Sequence, residues 1–531
     1  MFPRVTRNAL KALMAAFIAG LLVACGGGGS SSGGLTGGVS GGVDGGGGVD
    51  GGATGGDSIA DVTPPVGGID RSGVAVGVVT GFGSVFVGGV QYDTTEAVFI
   101  VDGVSATEDD LNVGEVVQIE GVKSDDGLTG VADRVRFEAE VEGPVSAIDV
   151  AAGIFTVLGR TVRTDFETRF DDDLNVGMLD ALTVGTVVEV SGFVTAEGDV
   201  LATYIETQDV VDVLKVRGVV RLLDADARRF MIGDLEVDYA TAELVAFGAA
   251  SIAGGDPVRV LGNELDADGV LVATVVALRR GAILRPDDDD DDDVDDDDDV
   301  EIEGLVTALD AAGFTVGQQV VRVDDDTAFE NGTFDDLAID LRVEVEGVLD
   351  ADGVLLAEEI ELRRRANAEL EGRIDSIDVD AGTLVVAGVV ITVDRTTQFK
   401  DDSEQAIRRF SLVDLVVGDF VEIRGLATDG ALLARRIERD DDGDGDDDDS
   451  QAELELEGSI DGFGADAVTV LGFALRFDAD TEFALNDSDV TEAEFRADVA
   501  IGERVEVQAR QDADGSFVVE DIETGEDDDD G

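Results

Sequence analysis

Histidine and tryptophan are absent from this chain of 531 residues, and cysteine occurs once, as Cys25. Histidine is the commonest general base of enzymes and a leading metal ligand, so its absence removes the usual basis for both kinds of site. One cysteine cannot form an intramolecular disulfide. The chain has three tyrosines, too few to line a sugar cleft in which a glycosidase would place two carboxylates. We therefore expect a non-enzymatic protein with no catalytic residue and no cofactor.

Basic residues are also scarce. The chain has 37 lysines and arginines against 118 aspartates and glutamates, a formal net charge of -81. A surface of this charge repels phosphate, so we expect neither nucleic acid nor anionic lipid headgroups as partners. Divalent cations and basic proteins are the partners that the charge favours. The alternative is that the acidic surface only keeps an exported protein soluble.

The first 24 residues predict an export signal. An apolar stretch at residues 12–24 is too short to span a bilayer, and it follows three basic residues, Arg4, Arg7 and Lys11. The stretch ends in "LVAC", which resembles the lipobox of bacterial lipoproteins. This resemblance implies that Cys25 is lipidated with acyl chains such as palmitate and anchors the protein in a membrane. Gly26 after the cysteine implies the outer membrane, with the chain facing the periplasm or the cell surface. The alternative is an uncleaved anchor or a chance cysteine.

A repeat follows a Gly/Ser/Asp-rich stretch that has no pattern able to bury a core. The motifs "VVQIEG", "VVEVSG", "PVRVLG", "RVEVEG", "FVEIRG" and "RVEVQA" each precede a polar turn and another strand. They predict the following division: signal peptide 1–24, tether 25–70, β repeats 74–138, 139–208 and 211–281, acidic linker 282–299, β repeats 300–365 and 366–439, acidic linker 440–452, β repeat 453–524 and acidic tail 525–531.

Each repeat has the period of half-buried strands, as the alternation of valine and glutamate at residues 343–346 shows. In the fourth copy we predict strands at residues 301–309, 314–316, 320–323, 342–349 and 354–362. Five short strands around one core favour a small closed or partly open barrel, because closure removes exposed edges. The predicted fold is therefore all-β, a tandem array of about six small antiparallel OB-like barrels joined by acidic linkers. A two-layer sandwich is the alternative.

The last strand of several repeats carries an Ala-x-x-aliphatic step, as in Ala202 and Ile205, or Ala357 and Ile360. Strict alternation would place these two residues on opposite faces of the strand. Since charged residues such as Glu358 and Glu359 lie between them, we predict a β-bulge that returns both apolar side chains to the core.

The first copy contains "GFGSVFVGGVQYDT" and "DDLNVGEVVQIEG", which resemble the bacterial family called domain of unknown function 5666. The resemblance extends over residues 74–523 and is weakest in the third copy. It implies a repeated β protein of the cell envelope, and it implies no activity and no catalytic residues.

Acidic runs are the remaining candidate sites. Asp440, Asp442 and Asp444 follow the D-x-D-x-D-G start of a calcium loop. The twelfth position is Gln451 rather than glutamate, so a solvated linker is the alternative to a calcium site. The sequence "DADG" at residues 350–353 is interpreted as a hairpin turn, because the six repeats keep its glycine but not its first acid.

Together these features predict a lipid-anchored, non-enzymatic envelope protein with a structural or binding role. A calcium-responsive surface adhesin or matrix component is the alternative.

Overall fold

The structure is a computed structural model, and it describes residues 72–124, 127–171, 179–208, 213–248, 251–279, 299–310, 312–350, 353–403, 405–440, 452–485 and 488–524. Predictions for the signal peptide, the tether and most of the acidic linkers lie outside these residues.

The first three repeats contain twenty strands. In repeat 1 they are β1 (Ser72–Val78), β2 (Val85–Val87), β3 (Val90–Asp93), β4 (Val98–Val101), β5 (Val104–Ala106), β6 (Val116–Lys123) and β7 (Thr129–Phe137). In repeat 2 they are β8 (Val141–Asp149), β9 (Ile154–Val157), β10 (Arg160–Arg163), β11 (Arg169–Phe170), β12 (Val187–Val194) and β13 (Val200–Gln208). In repeat 3 they are β14 (Leu214–Val219), β15 (Arg221–Asp224), β16 (Arg229–Ile232), β17 (Leu235–Asp238), β18 (Glu243–Val245), β19 (Pro257–Leu265) and β20 (Leu271–Leu278).

The last three repeats follow the same order. Repeat 4 contains β21 (Asp299–Asp310), β22 (Gly313–Val316), β23 (Gln319–Arg322), β24 (Ala328–Glu330), β25 (Arg342–Leu349) and β26 (Leu355–Arg363). Repeat 5 contains β27 (Ala368–Asp378), β28 (Thr383–Val386), β29 (Val389–Thr392), β30 (Gln398–Asp401), β31 (Phe420–Thr428) and β32 (Ala431–Asp440). Repeat 6 contains β33 (Glu453–Phe463), β34 (Ala467–Val470), β35 (Phe473–Arg476), β36 (Glu482–Leu485), β37 (Ser488–Asp489), the helix α1 (Glu492–Asp498), β38 (Arg504–Gln511) and β39 (Phe517–Thr524). Short 3₁₀ turns lie at Glu108–Asp110, Leu179–Ala181, Phe334–Asp336 and Leu412–Asp414.

The five strands predicted for the fourth repeat are confirmed, as β21, β22, β23, β25 and β26. The long loop between the third and fourth of them also holds the short strand β24 and one 3₁₀ turn. β21 pairs with both β22 and β25, while β23 and β24 run parallel to β26. The pairings thus form a closed ring in the order β21, β22, β23, β26, β25 and back to β21.

The repeats are not the separate OB-like barrels that the sequence analysis predicted. First strands of different repeats pair with one another, β1 with β21, β8 with β14 and β27 with β33. In the described residues this gives three sheets of 13 strands each. The fold is therefore all-β, 59% strand and 4% helix, but it is a β-solenoid of stacked coils. The prediction was wrong because first strands such as β21 pair with a strand of another repeat as well as within their own repeat, which joins the repeats into shared sheets.

The predicted β-bulges are confirmed. The pairing of β25 with β26 shifts register between Glu346 and Gly347, so that Glu358 is the extra residue. Ala357 and Ile360 on either side of it are both buried. Equivalent shifts occur in the β12–β13, β19–β20 and β31–β32 pairs. The extra residue changes the phase of the strand and keeps its apolar side chains in one core.

The hairpin turn at residues 350–353 is also supported where it is described. Gly353 has φ +80° and donates its N–H to the Asp350 carbonyl at 2.9 Å. The corresponding glycines also have positive φ, and they are Gly127, Gly198, Gly269, Gly430 and Gly515. Glycine is retained because other residues adopt this backbone conformation at a cost.

Some charged residues on the outer faces of the strands are buried, although the alternating pattern would place them in solvent. The side chains of Glu142, Glu189 and Glu303 alternate with core residues, yet each residue is at most 3% exposed. They are buried because the charged faces of different repeats pack against one another. Ion pairs therefore fill the junctions between the coils.

Candidate binding cavity

A cavity of about 540 Å³ lies where the first four repeats meet. Its walls include residues of β1 and β6, of β12, of β14 and of β21. Glu197, Val219, Arg221 and Gln318 also line it and are exposed, so the cavity opens to solvent between these residues. The volume falls within the range of about 300–1,000 Å³ that is typical of small-molecule sites.

Arg160 is the most buried of the arginines that line this cavity, at 5% exposed. It is the first residue of β10, directly after the two-residue turn of the β9–β10 hairpin, and it pairs with Val157. Burial alternates along β10, so that Arg160 and Val162 point inward while Arg163 is exposed. The strand period thus directs a charged side chain to the interior.

Repeat 3 forms the floor beneath Arg160. The Asp234 N–H donates to the Gly159 carbonyl at 3.1 Å and holds the turns of the two hairpins together. A Cβ on Gly218 would lie 3.2 Å from Arg160 Nη1, and one on Gly233 would lie 3.5 Å from Arg160 Cδ. The two glycines therefore leave the room that the guanidinium occupies.

The Arg160 guanidinium has no hydrogen-bonded counter-ion among the described residues, although the charges of Glu140 and Asp199 act on it. Its Nε and Nη2 atoms are buried and have no hydrogen-bond acceptor in this part of the chain. Burial first, and then the charge of Arg217, lower the pKa of Arg160, although Glu140 and Asp199 act in the opposite direction. The group nevertheless stays protonated at neutral pH, as arginine does in proteins.

Three other arginines of the cavity wall have partners. Arg217 contacts Glu140 at 2.6 Å, and Arg279 forms an ion pair with Glu138. Arg136 lies 3.3 Å from Glu120. Burial, followed by the neighbouring charge of Arg136, lowers the pKa of Arg279 to about 10. These pairs neutralise much of the wall without reaching Arg160.

Glutamates of the cavity wall also form ion pairs with arginines outside the cavity. Glu303 lies 2.8 Å from Arg342 and 3.0 Å from Arg363, neither of which lines the cavity. Although burial alone would raise the pKa of Glu303, these two arginines lower it. Glu197 at the mouth is 3.6 Å from Arg163 on the outer surface. Arg221 at the mouth has no ion pair within the described residues, so the cavity is locally more basic than the rest of this acidic chain.

Two groups of three carboxylates lie close enough together to suggest a metal site. In the first, Asp102, Glu142 and Glu189 surround the buried Lys215, whose Nζ is 3.3 Å from Glu189 and pairs with the other two. Burial alone would lower the pKa of Lys215, but Glu189, Asp102 and Glu142 together raise it above its ordinary value. The ammonium group therefore takes the place that a cation would occupy.

The second group consists of Glu369, Glu371 and Glu422 on the outer face of β27 and β31. Arg424 lies 2.9 Å from Glu369 and 2.8 Å from Glu422, and so supplies the positive charge between them. Neither carboxylate group needs a metal ion to explain its geometry.

The residues singled out from the sequence lie elsewhere. Cys25, Asp442 and Asp444 are outside the described residues, and Asp440 ends β32 without belonging to either carboxylate group. Arg363 forms ion pairs with Glu303 and Glu344, and its side chain is buried there. Sequence reasoning missed Arg160, and the available signal was an arginine at a hairpin position where other repeats have uncharged residues.

Comparison with known proteins gives a family and little else. The family described as Domain of unknown function (DUF5666) matches residues 142–206, 303–361, 371–438 and 457–523. These segments lie in repeats 2, 4, 5 and 6, whereas the first repeat, whose motifs carry the resemblance seen in the sequence, is outside them. No curated protein matches the chain.

One solved structure similar to this chain is named "drosophila Unr CSD456". The identity is 16%, the match covers 42% of this chain and 95% of that chain, and the TM-score is 0.10. So low a TM-score carries no argument about fold or function.

Proposed function

Because repeats of this chain belong to the family described as Domain of unknown function (DUF5666), which lends no activity, we propose a function from the cavity and the N-terminal sequence. The protein is a non-enzymatic, lipid-anchored protein of the cell envelope, and its folded repeats bind a small molecule in the space between the first four coils. The observation that carries the binding role is the solvent-accessible cavity of about 540 Å³.

The anchoring part of the proposal rests on the sequence. Leu22 to Cys25 resembles a lipobox, so Cys25 would carry the acyl chains and Gly26 would direct the protein to the outer membrane. Two or more acyl chains give stable attachment without a membrane-spanning segment. None of the helices in the described part of the chain is long and apolar enough to cross a membrane.

The position of the cavity favours binding over a purely structural role. Strands from four repeats converge on it, and a chain selected only for stability would be expected to fill such a space with side chains. The long-range pairing of β1 with β21 brings repeat 4 against repeat 1 and thereby completes the wall. The binding function is thus a property of the stacked repeats and not of one repeat alone.

Closing the mouth of the cavity tests the proposal. Ala196 is exposed, lines the mouth, and lies in the turn between β12 and β13, so Ala196→Trp adds a large side chain at the entrance without disturbing a core. Ala267→Trp makes the same change in the corresponding exposed turn of repeat 3, which does not line the cavity. Binding is measured on the full chain by native mass spectrometry against a library of neutral and anionic metabolites.

We expect a ligand of the wild-type chain to bind at least tenfold more weakly to Ala196→Trp and equally well to Ala267→Trp. Equal binding to both variants, or no binding by any library member, would refute the proposed cavity function. Binding that requires calcium and survives Ala196→Trp would instead support a calcium-responsive adhesin or matrix component.

A further inference from the structure

We infer that the cavity takes a small molecule bearing an oxyanion, either a carboxylate or a phosphate group, and that Arg160 is the residue that anchors this group. The inference rests on the proposed binding function and adds the chemical class of the ligand. It comes from the burial of Arg160, from its lack of a partner, and from a comparison among the repeats of this chain.

The six repeats place different residues at one structural position. In each repeat a two-residue turn joins two strands of a hairpin, the third and fourth strands in repeat 3 and the second and third in the others. The first residue after the turn pairs with the last residue before it. The pairs are Val87 with Val90, Val157 with Arg160, Ile232 with Leu235, Val316 with Gln319, Val386 with Val389, and Val470 with Phe473. All six residues after the turn are buried, at 1–6% exposed. Four of them are apolar, and one is a glutamine.

The repeat therefore folds without a charge at this position. Gln319, the other polar residue of the set, is satisfied because its Nε2 donates to the carbonyls of Val320 and Gly353, at 3.0 and 2.8 Å. Arg160 has no such acceptors among the described residues. Burying a charged group without a partner is costly, so packing requirements do not explain this arginine.

An oxyanion in the cavity would place a negative charge beside Arg160. The guanidinium is a planar group with five N–H donors, and its fork matches the two oxygens of a carboxylate or phosphate. Arg160 lines the cavity with its Nε and Nη2 atoms buried, and the absence of side chains at Gly218 and Gly233 leaves room for its Nη1 and Cδ. A low-dielectric site of this kind strengthens the interaction relative to water.

The surrounding charges support the same ligand class. Arg221 at the mouth has no ion pair within the described residues, whereas Glu140, Glu138 and Glu303 are each neutralised by arginines. A neutral ligand would leave Arg160 with only the charges of Glu140 and Asp199 to compensate it, whereas an anionic ligand adds a counter-charge inside the cavity. The overall acidity of the chain therefore does not extend to this cavity.

The repeats themselves provide substitutions that the fold tolerates. Arg160→Gln introduces the residue of repeat 4 and Arg160→Leu the residue of repeat 3 at the equivalent position. The matched control is Arg163→Gln on the same strand, because Arg163 is exposed and pairs with Asp199 on the outer surface at 2.8 Å. All variants are compared in the full chain.

The experiment measures the thermal unfolding midpoint of the full chain with inorganic phosphate and, separately, with succinate. We expect at least one probe to raise the midpoint of the wild-type chain and of Arg163→Gln, and to bind Arg160→Gln and Arg160→Leu at least tenfold more weakly. A shift with phosphate alone indicates a phosphorylated ligand, and a shift with succinate alone indicates a carboxylate ligand. Without probe, Arg160→Leu should unfold at or above the wild-type midpoint.

Three results would overturn the inference. The first is that the wild-type chain and Arg160→Gln bind a probe equally well, and the second is that neither probe binds the wild-type chain. The third is that Arg160→Leu unfolds well below the wild-type midpoint, which would make Arg160 a structural residue. A neutral metabolite that binds Arg160→Gln normally and is blocked by Ala196→Trp would refute the oxyanion while leaving the proposed cavity function intact.

Discussion

The acidic face of the sheet formed by repeats 5 and 6 should make the stability of this protein fall between pH 4.5 and pH 7. On this face Glu369 lies directly opposite Glu455, and Glu371 lies opposite Glu453, because β27 and β33 pair antiparallel. Like charges placed directly across two strands are unfavourable. Arg424 forms ion pairs with Glu369 and Glu422, and its charge offsets only part of the repulsion at Glu371 and Glu455.

The pKa values follow from this arrangement. Burial first, and then the charges of Glu369 and Glu506, raise the pKa of Glu455 to about 7. Burial, followed by Glu422 and Glu369, raises the pKa of Glu371 to about 7. The ordinary value in the unfolded chain is 4.5. The folded state therefore binds protons more tightly than the unfolded state, and the stability this gives is fully present below pH 4.5 and lost as the pH rises through 7.

The change in the free energy of unfolding depends on how far the carboxyl group is exposed to solvent. A rise from 4.5 to about 7 would correspond to about 3 kcal/mol per carboxyl group if it were fully realised. Glu455 is only half-buried, so solvent screening reduces this, and we expect roughly 1–2 kcal/mol. Glu455→Gln removes the charge and keeps the shape. It should therefore stabilise the protein by about that amount at pH 8 and have little effect at pH 4.5.

Urea unfolding at pH 4.5 and pH 8, followed by far-UV circular dichroism, measures this difference. The control is Glu457→Gln on the same strand, because Glu457 pairs with Arg504 at 2.5 Å and its removal should not stabilise. If Glu455→Gln and Glu457→Gln shift the urea midpoint equally at pH 8, or if the gain from Glu455→Gln is the same at both pH values, the argument from opposed carboxylates is wrong.

Two further predictions concern the anchor and the hairpin turn. Cys25→Ser should abolish membrane retention and palmitate labelling while the β repeats stay folded, as fractionation and circular dichroism would show; a labelled serine variant would contradict the lipobox. Gly353→Val should destabilise the chain by roughly 1–3 kcal/mol, because Gly353 has φ +80°. Asp350→Ala should cost about 1 kcal/mol, because it loses the 2.9 Å hydrogen bond from the Val354 N–H. The urea midpoints of Gly353→Val and Asp350→Ala test these two predictions. A Gly353→Val chain as stable as the wild-type chain would contradict the assignment of the turn.

Local structure could be predicted from the sequence because its causes are local. The alternation of valine and glutamate in β25 reflects a strand with one face in a core. The charged residues between Ala357 and Ile360 required a bulge, and the structure has one at Glu358.

The arrangement of the repeats could not be predicted in the same way. Alternation reports that one face of a strand is apolar, but it does not report what covers the other face. Glu303 has the pattern of a solvent-facing residue, yet Arg342 and Arg363 bury it between strands. The pairing of β1 with β21 joins residues more than two hundred positions apart, and no local pattern specifies it. The prediction of separate barrels failed at this step.

The charge distribution explains why the cavity and the acidic face are the two unusual regions of the structure. Acidic residues outnumber basic ones by 118 to 37. The chain therefore has too few lysines and arginines to pair every carboxylate at the junctions between the coils. Lys215 and Arg363 each form ion pairs with several carboxylates. On the outer face of β27 and β33 there are too few basic residues to neutralise the glutamates, so the pKa of Glu455 is raised. An arginine without a hydrogen-bonded counter-ion is therefore the opposite of what this composition favours. Carboxylates are abundant in this chain, yet Arg160 lines a cavity and has no hydrogen-bonded carboxylate among the described residues. A ligand explains this position better than folding does.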